Sequence, residues 1–400
     1  MPNAILTHQM IAREAAKMLE EEAPFVANIN KGRQDEFGTD ISGYKKGKSV
    51  TIKIPTAGQV FDGPKFGGVG GSASGVIEES VVLKLDTQKH VALEFGAAEK
   101  LLEISDFKER ILRPAMQTLA SVVEADLIAK GVLTVPNQVS MSLSGDKPSR
   151  ALALAQAKLN QYLTPTGERS ALVSNDANIA LSGEVSRLYN PTQASSKAYL
   201  SGYVSTAFGS DLYNHQSIAV FNNGTAAGLT LSSAVTSGKT VNMTATTGGT
   251  LTKGTIFTIA GINAVHPLTG QDLGVLQQFT VTEAVTVGTA TPVSIFPAIK
   301  ATAPNKTTSA GGAGGAVVTV TSLNGFQNME FHKDAFTAAF APLPVLASCE
   351  GYTARLPSGI SVRVMTFGDG NNDIERTRID VLYGFQAVRP LHACRIAQIA

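Results

Sequence analysis

Gly43-Tyr44-Lys45-Lys46-Gly47-Lys48-Ser49 comes nearest to a phosphate cradle. A P-loop wraps backbone N–H groups around phosphates and aims a lysine at them. This stretch is one residue short of that pattern, and it runs into the alternating Val50, Ile52 and Ile54 of a strand instead of opening a helix. Asp369-Gly370-Asn371-Asn372-Asp373, with Asp380 at the twelfth place, echoes a calcium loop. Its sixth place is Ile374, where the sharp turn needs glycine, and its twelfth is not the bidentate Glu. An ordinary hairpin turn is the better reading. Gly71-Ser72-Ala73-Ser74-Gly75 puts Ala where a nucleophile elbow needs Ser. The six histidines are scattered, and neither H-E-x-x-H nor C-x-x-C occurs. No catalytic, cofactor or metal residue is assigned, and the chain does not read as an enzyme.

Composition narrows the remaining classes. A net charge of +1 over 400 residues argues against a protein that wraps nucleic acid, since each neutralised phosphate needs a Lys or Arg. Lys45, Lys46 and Lys48 are the densest basic cluster. Two cysteines, Cys349 and Cys394, make no disulfide framework and suggest a reducing, intracellular origin. The N-terminus lacks a signal-peptide layout, and no apolar run is long enough to predict a membrane span.

The elements follow from periodicity. Thr7–Ala23 reads as a helix with Ile11, Ala15, Met18 and Leu19 on one face, stopped by Pro24. It ends in Glu20, Glu21 and Glu22, which is first of all a solvated helix end and second an acidic handle for a basic partner. Ser49–Ile54 alternates as a strand, and an apolar stretch begins at Val81 and continues to Phe95. The glycine-rich segment Gly63–Gly75 between them makes a long two-stranded arm, which reaches roughly 50 Å. A hairpin of that length needs something to lie on. Asp106–Lys130 is the clearest helix: Asp106 and Glu109 make a capping pattern, Gly131 stands at the C-cap, and Leu112, Met116, Leu119, Val123 and Leu127 form the apolar stripe. Pro114 should bend this helix or mark its true first turn. Ser149–Leu163 and Asp176–Glu184 are further helices, with a strand at Ser170–Ser174 between them. Ile360, Val362, Val364 and then Ile379, Val381, Tyr383 alternate around the turn at 368–373, a hairpin.

One block departs from the rest. From Asn222 to Met329 the charged residues are Lys239, Lys253, Asp272, Glu283, Lys300 and Lys306, and arginine is absent from Arg187 to Arg355. Short strands are predicted at Thr240–Thr244, Thr255–Ala260, Gln278–Thr282, Val293–Phe296 and Val317–Thr321. The block reads as a small all-β barrel or sandwich inserted into an α+β host. Ala310–Ala316, a glycine-alanine run, reads as a flexible loop inside it.

Taken in order, these stretches resemble the major capsid (coat) protein of tailed bacteriophages, of the Hong Kong 97 type, in its short-tailed-phage branch with an inserted β-barrel. The resemblance is carried by Leu6-Thr7 through Arg13-Glu14-Ala15, Ile52-Lys53-Ile54-Pro55, the capped helix 106–130 and Gly209-Ser210-Asp211-Leu212-Tyr213. Within the block it is carried by Lys253–Gly261 and Gln277–Val281, and beyond it by Phe331–Phe336, Tyr383-Gly384-Phe385 and Arg389-Pro390. It implies an N-terminal arm over 1–40 and an extended loop with flanking strands over 41–95. A spine helix with the first part of the peripheral and axial domains then covers 96–221. The barrel spans 222–329, and the return of the host domain 330–400. It implies hexamers and pentamers of this chain in an icosahedral procapsid, built with a scaffolding protein and filled with double-stranded DNA through a portal protein, without sequence specificity. The place would be the virion, after assembly in the host cytoplasm. On this reading Glu20, Glu21 and Glu22 face the scaffolding protein. The arm tip, Lys65, Phe66, Gly67, Gly68, Gly70 and Gly71, lies against a neighbouring subunit.

Two other readings compete. An encapsulin-like nanocompartment shell would normally lack the 222–329 block. A β-rich surface adhesin would show fibrous repeats or export, and neither is legible.

Overall fold

The protein is described by a computed structural model over residues 8–32, 49–54, 64, 79–96, 111–143, 148–188, 206–207, 209–301, 306–369 and 374–399. Its helices are α1 (His8–Glu21), α2 (Pro24–Asn28), α3 (Arg113–Val132), α4 (Pro148–Gln161) and α5 (Asn175–Leu188). The strands before the barrel are β1 (Ser49–Ile54), β2 (Glu79–Lys84), β3 (Thr87–Gly96), β4 (Gln138–Ser142), β5 (Arg169–Val173), β6 (Thr206–Ala207), β7 (Ser210–Asn214) and β8 (Val220–Phe221). Then come β9 (Ala227–Leu231), β10 (Ser237–Thr247), β11 (Gly249–Leu251), β12 (Ile256–Val265), β13 (Asp272–Val281), β14 (Val285–Val287), β15 (Thr291–Lys300) and β16 (Val317–Val320). The return comprises β17 (Gly325–His332), β18 (Phe336–Ala341), β19 (Glu350–Arg355), β20 (Ser361–Asp369), β21 (Ile374–Ala387) and β22 (Ala393–Ile399). The class is mixed α+β with a closed six-stranded barrel.

The chain divides into two compact units. In the first, β21 is the backbone of a five-stranded sheet: β3 pairs one edge, and β20 and then β18 share the other. α1 lies on β19 and β20 with Ala12, Ala15, Ala16, Met18 and Leu19 buried, so the expected apolar face is the packed one. Phe25 of α2 meets Phe336 and Phe385 with ring centroids 5.8 and 6.4 Å apart. The first unit also takes most of α3, and the expected stripe from Leu112 to Leu127 is buried. Inside that packing the Phe25 N–H donates to Glu124 Oε1 at 2.6 Å. Tyr383 donates to Asp126 Oδ2 at 2.7 Å, and burial pushes its phenol pKa up, with the Asp126 contact adding to it.

Several expectations change. Pro114 falls in the first turn of α3, one of the two places expected for it, but π-helical Ile111 and Leu112 precede it. Gly131 is not the cap: the helix runs to Val132, and Thr134 closes it by donating N–H and hydroxyl to Gly131 O. The Asp106–Glu109 pattern lies outside the described residues. Leu163, expected on the apolar face of α4, follows its end with φ +57° and is 44% exposed. Asp380, the twelfth place of the calcium-like loop, accepts from Arg363 at 2.8 Å and Arg378 at 2.7 Å, which satisfies its charge with arginines. The turn at 370–373 and the basic loop at 43–48 lie outside the described residues.

The second unit holds a seven-stranded sheet ordered β4-β22-β17-β5-β7-β6, with β8 beside β17. β22 runs parallel to β4 and β5 to β7; the other pairs are antiparallel. α4 and α5 cover one face, where Leu152, Leu159, Leu181, Val173, Leu212 and Ile396 form a core. The barrel follows the order β10-β15-β13-β12-β16-β9. Its core includes Leu231, Met243, Ile259, Val293 and Ile295, and the Phe257 and Phe279 rings stack at 5.8 Å. All five strands expected in the block fall on barrel strands. β9 was not expected, because Ala227-Gly228-Leu229-Thr230-Leu231 carries too few apolar residues to stand out.

The glycine-alanine run is not a flexible loop. Gly312 and Val235 exchange backbone hydrogen bonds of 2.8 and 2.9 Å, and Gly315 N–H donates to Leu231 O at 2.8 Å. A Cβ at Gly311 would lie 2.5 Å from Val235 O, and one at Gly312 2.5 Å from Leu231 Cδ1. The glycines are there for close approach to the barrel wall. The expected block end, Met329, lies within β17, a strand of the seven-stranded sheet.

Candidate functional site

One cluster of buried polar residues stands where the barrel meets the sheet of the second unit. Two strands lead into and out of the barrel side by side, with Phe221 of β8 opposite Gly325 of β17. Beyond them the Asn223 N–H donates to Asn324 Oδ1 at 2.7 Å and its amide donates to Ser322 O at 2.6 Å, while the Ser322 hydroxyl bonds Asn223 Oδ1. Side-chain amides thus do the pairing that strand backbones do on either side.

The seat of the barrel is built from three contacts. Gln278 of β13 accepts the Gln138 N–H at 3.0 Å and donates to Gln138 O at 3.1 Å. One carboxamide so satisfies both backbone groups of the first residue of β4. Next to it Tyr162, just past α4, donates to Gln277 Oε1 at 3.1 Å, and burial pushes its phenol up to about 12. Third, Arg395 of β22 is fully buried; its Nη2 donates to Gly254 O at 2.6 Å, and its guanidinium lies 5.2 Å from the Phe221 ring. Burial depresses its pKa to about 9. Its Nε and Nη1 find no acceptor among the described residues. Gly254 has φ +89°, and a Cβ there would stand 2.7 Å from Leu133 Cδ2 and 3.2 Å from Phe221. The turn before β12 therefore fits into the sheet face only as glycine. Lys300 adds an exposed ion pair to Glu79 at 2.6 Å, worth little by comparison.

On the opposite face of the sheet, Glu330 of β17 is buried. One carboxyl oxygen accepts from Ser210 at 2.6 Å and the other meets no donor among the described residues. Burial raises it to about 7 against the opposing pull of Ser210 and Arg169. Cys394, its partner across β22, is buried and its thiol is pushed up by burial. A thiol that stays protonated is a packing group rather than a nucleophile. Among the described residues no group of three or more His, Cys, Asp or Glu side chains is placed to hold a metal ion. No helix among them is long and apolar enough to cross a membrane. The arrangement holds parts in register: the Ser210 hydroxyl bonded to Glu330 is itself buried.

Of the sequence-expected site residues, Glu20 and Glu21 close α1 and Glu22 follows it, with Glu21 and Glu22 exposed. Glu22 accepts from Gln117 of α3 at 3.1 Å. Lys65, Phe66, Gly67, Gly68, Gly70 and Gly71 lie outside the described residues. Gln138 and Arg395 carried no expectation, and Gly254, Gln277 and Gln278 entered only within stretches that carry the resemblance, not as site residues. An arginine inside Ala393–Ile399, where Gln398 is the other polar side chain, is the signal that could have found one of them.

A model of the family described as P22 coat protein, gene protein 5, matches residues 39–395. No curated protein matches the chain. Among solved structures, similarity extends to a Mycobacterium phage Che8 structure at 12% identity, covering 94% of this chain and 90% of that one, with a TM-score of 0.45. It extends also to the capsid of the cyanophage P-SCSP1u at 11% identity, covering 89% and 85%, with a TM-score of 0.44. A third is the mature capsid of bacteriophage PhiM1, at 10% identity, 88% and 82% coverage and a TM-score of 0.44. With a match that runs through host sheet, barrel and return, the chain belongs to the P22 coat protein family: it is a major capsid protein, a structural component of a tailed-phage shell and not an enzyme.

Proposed function

We propose that copies of this chain, as hexamers and pentamers, build an icosahedral procapsid and then the mature shell around double-stranded DNA. The observation that carries this reading is the family match from residue 39 to 395. In it the chain has the Hong Kong 97 layout: an N-terminal arm, an extended loop whose base is β1 and β2, a spine formed by α3, and peripheral and axial domains. The barrel is the inserted domain, 222–329 by composition. It stabilises the subunit through its glutamine and arginine seat and touches neighbouring subunits. Leu268, Leu273, Val275 and Leu276, all exposed on the β12–β13 hairpin, support the second role.

Partners follow from the same reading. A basic segment of a scaffolding protein docks on Glu20, Glu21 and Glu22, and the arm tip Lys65–Gly71 rests on the next subunit. A portal protein admits the DNA, which the near-neutral wall contains without gripping. Assembly takes place in the host cytoplasm. The test is assembly of the purified chain with and without its scaffolding partner, viewed by negative-stain microscopy. Closed shells of uniform size are the expected result; a chain that gives only monomers and amorphous aggregate with scaffold present overturns the proposal.

A further inference from the structure

Two buried imidazoles stand where the chain crosses between its units. It leaves the second unit after Ala335 and re-enters at Arg389. The crossings run through two 3-10 turns, Lys333–Ala335 and Pro390–His392. The Arg389 N–H ties them by donating to Ala335 O at 3.1 Å. His332 precedes the first turn and His392 ends the second, with rings edge to face at 82° and 6.3 Å between centroids. Both side chains are buried. His332 Nδ1 accepts the Asp334 N–H at 3.2 Å, so that nitrogen carries a lone pair and the ring is neutral. His392 Nδ1 is buried with no partner among the described residues.

We propose that this pair is a proton-operated joint: neutral rings hold the two crossings together, and protonation releases them. A proton on His332 Nδ1 turns an acceptor into a donor and displaces the Asp334 N–H that folds the first turn. The Asp334 carboxylate lies 4.0 Å from that nitrogen, so the turn must rearrange to pair with it. A proton on His392 meets Arg389, His332 and Arg169, all of which oppose it, while the Asp334 carboxylate favours it. Around His332 the favourable charges are Asp334 and Glu168, the unfavourable ones Arg169 and Arg389. Glu168 is already held by Lys333 at 3.1 Å. Glu330, on the same face of β17, is neutral below about pH 7 and offers the ring no counter-charge. Burial is the first cause that lowers both imidazoles, His392 to about 4. Folded values below the unfolded 6.5 mean that the closed form is fully favoured above pH 6.5 and loses its advantage as pH falls towards 4. The inference stands on the fold and these side chains, whatever the identity of the shell's partners.

Hydrogen exchange on the full chain, expressed as protection factors, reads the joint directly. Between about pH 6.5 and about pH 4, opening at residues 333–336 and 389–392, which leave out Glu330 and its opposite linkage, is expected to rise by up to about tenfold per pH unit for each titrating ring. In His332→Gln/His392→Gln the same segments should respond to acid far less than in wild type. Equal acid loosening in the double variant, or flat protection in wild type, overturns the proposal. Should the variant fail to fold, proton titration of the wild-type imidazoles by NMR decides: a midpoint for His392 near the ordinary 6.5 sinks the idea.

Discussion

The carboxamide of Gln278 pairs with both backbone groups of Gln138, 140 residues away, as a neighbouring strand would. Both bonds lie on the first residue of β4, which pairs β22 along its length. The barrel therefore terminates the sheet that carries it. Each such bond contributes about 0.5–1.5 kcal/mol, and a backbone group left without a partner costs more. Gln278→Ala is expected to lower stability by roughly 1–3 kcal/mol, seen as a lower urea midpoint.

Gly254→Ala tests the seat from the other side. The added methyl meets Leu133 and Phe221, and φ +89° is unfavourable for any residue with a Cβ. A loss of about 2–4 kcal/mol is expected. The far-ultraviolet spectrum of the survivor should still be that of the wild type.

Glu330 gives a pH dependence between about pH 4.5 and neutrality. Its folded value is raised from 4.5 to about 7, so stability falls as pH rises through that interval and the penalty is complete above it. Glu330→Gln keeps an acceptor for Ser210 and removes the charge. Above pH 7 the variant should exceed wild type in urea midpoint, by on the order of 3 kcal/mol or less, and the difference should shrink towards pH 5.

The acidic end of α1 is tested by charge reversal. Replacing Glu20, Glu21 and Glu22 with Lys should abolish the salt-sensitive part of scaffold binding, since exposed pairs contribute roughly 0.2–1 kcal/mol each. Unchanged binding across a salt titration would remove these residues from the scaffold site.

DNA binding by the free subunit should be weak and without sequence preference, in keeping with a net charge of +1. Anisotropy titration with duplex DNA at about physiological salt checks it. Affinity tighter than roughly micromolar, or one favoured sequence, would show that the basic side chains are concentrated on one surface.

What the sequence disclosed, and what it hid, divides along one physical line. Features written in a local repeat were legible: the stripe Leu112–Leu127 at helical spacing, the alternation of Ile360–Val364 against Ile379–Tyr383, and the charge-poor block that folds as a barrel. Features that depend on a distant partner were not. Gln138 and Gln278 look like any polar strand residues until the fold brings them together. Arg395 is an anomaly in its strand, but only Gly254 O and the Phe221 ring explain it. The run Ala310–Ala316 was misread for the same reason, since its glycines answer to Val235 and Leu231, which sit far upstream. β9 escaped because most of its order comes from its neighbours β10 and β16 and little from its own side chains.

The doorway formed by Asn223 and Asn324 bears on what the barrel and the sheet owe each other. Because Phe221 and Gly325 are already partners in an antiparallel pair, the host strands on either side meet as the arms of a hairpin would. Cutting out everything between them and joining the ends through a tight two-residue turn would leave the host strand pair in the geometry of an ordinary hairpin. The sheet would nevertheless feel the loss, since Gln138 would give up both partners that Gln278 supplies and the buried Arg395 would give up Gly254 O.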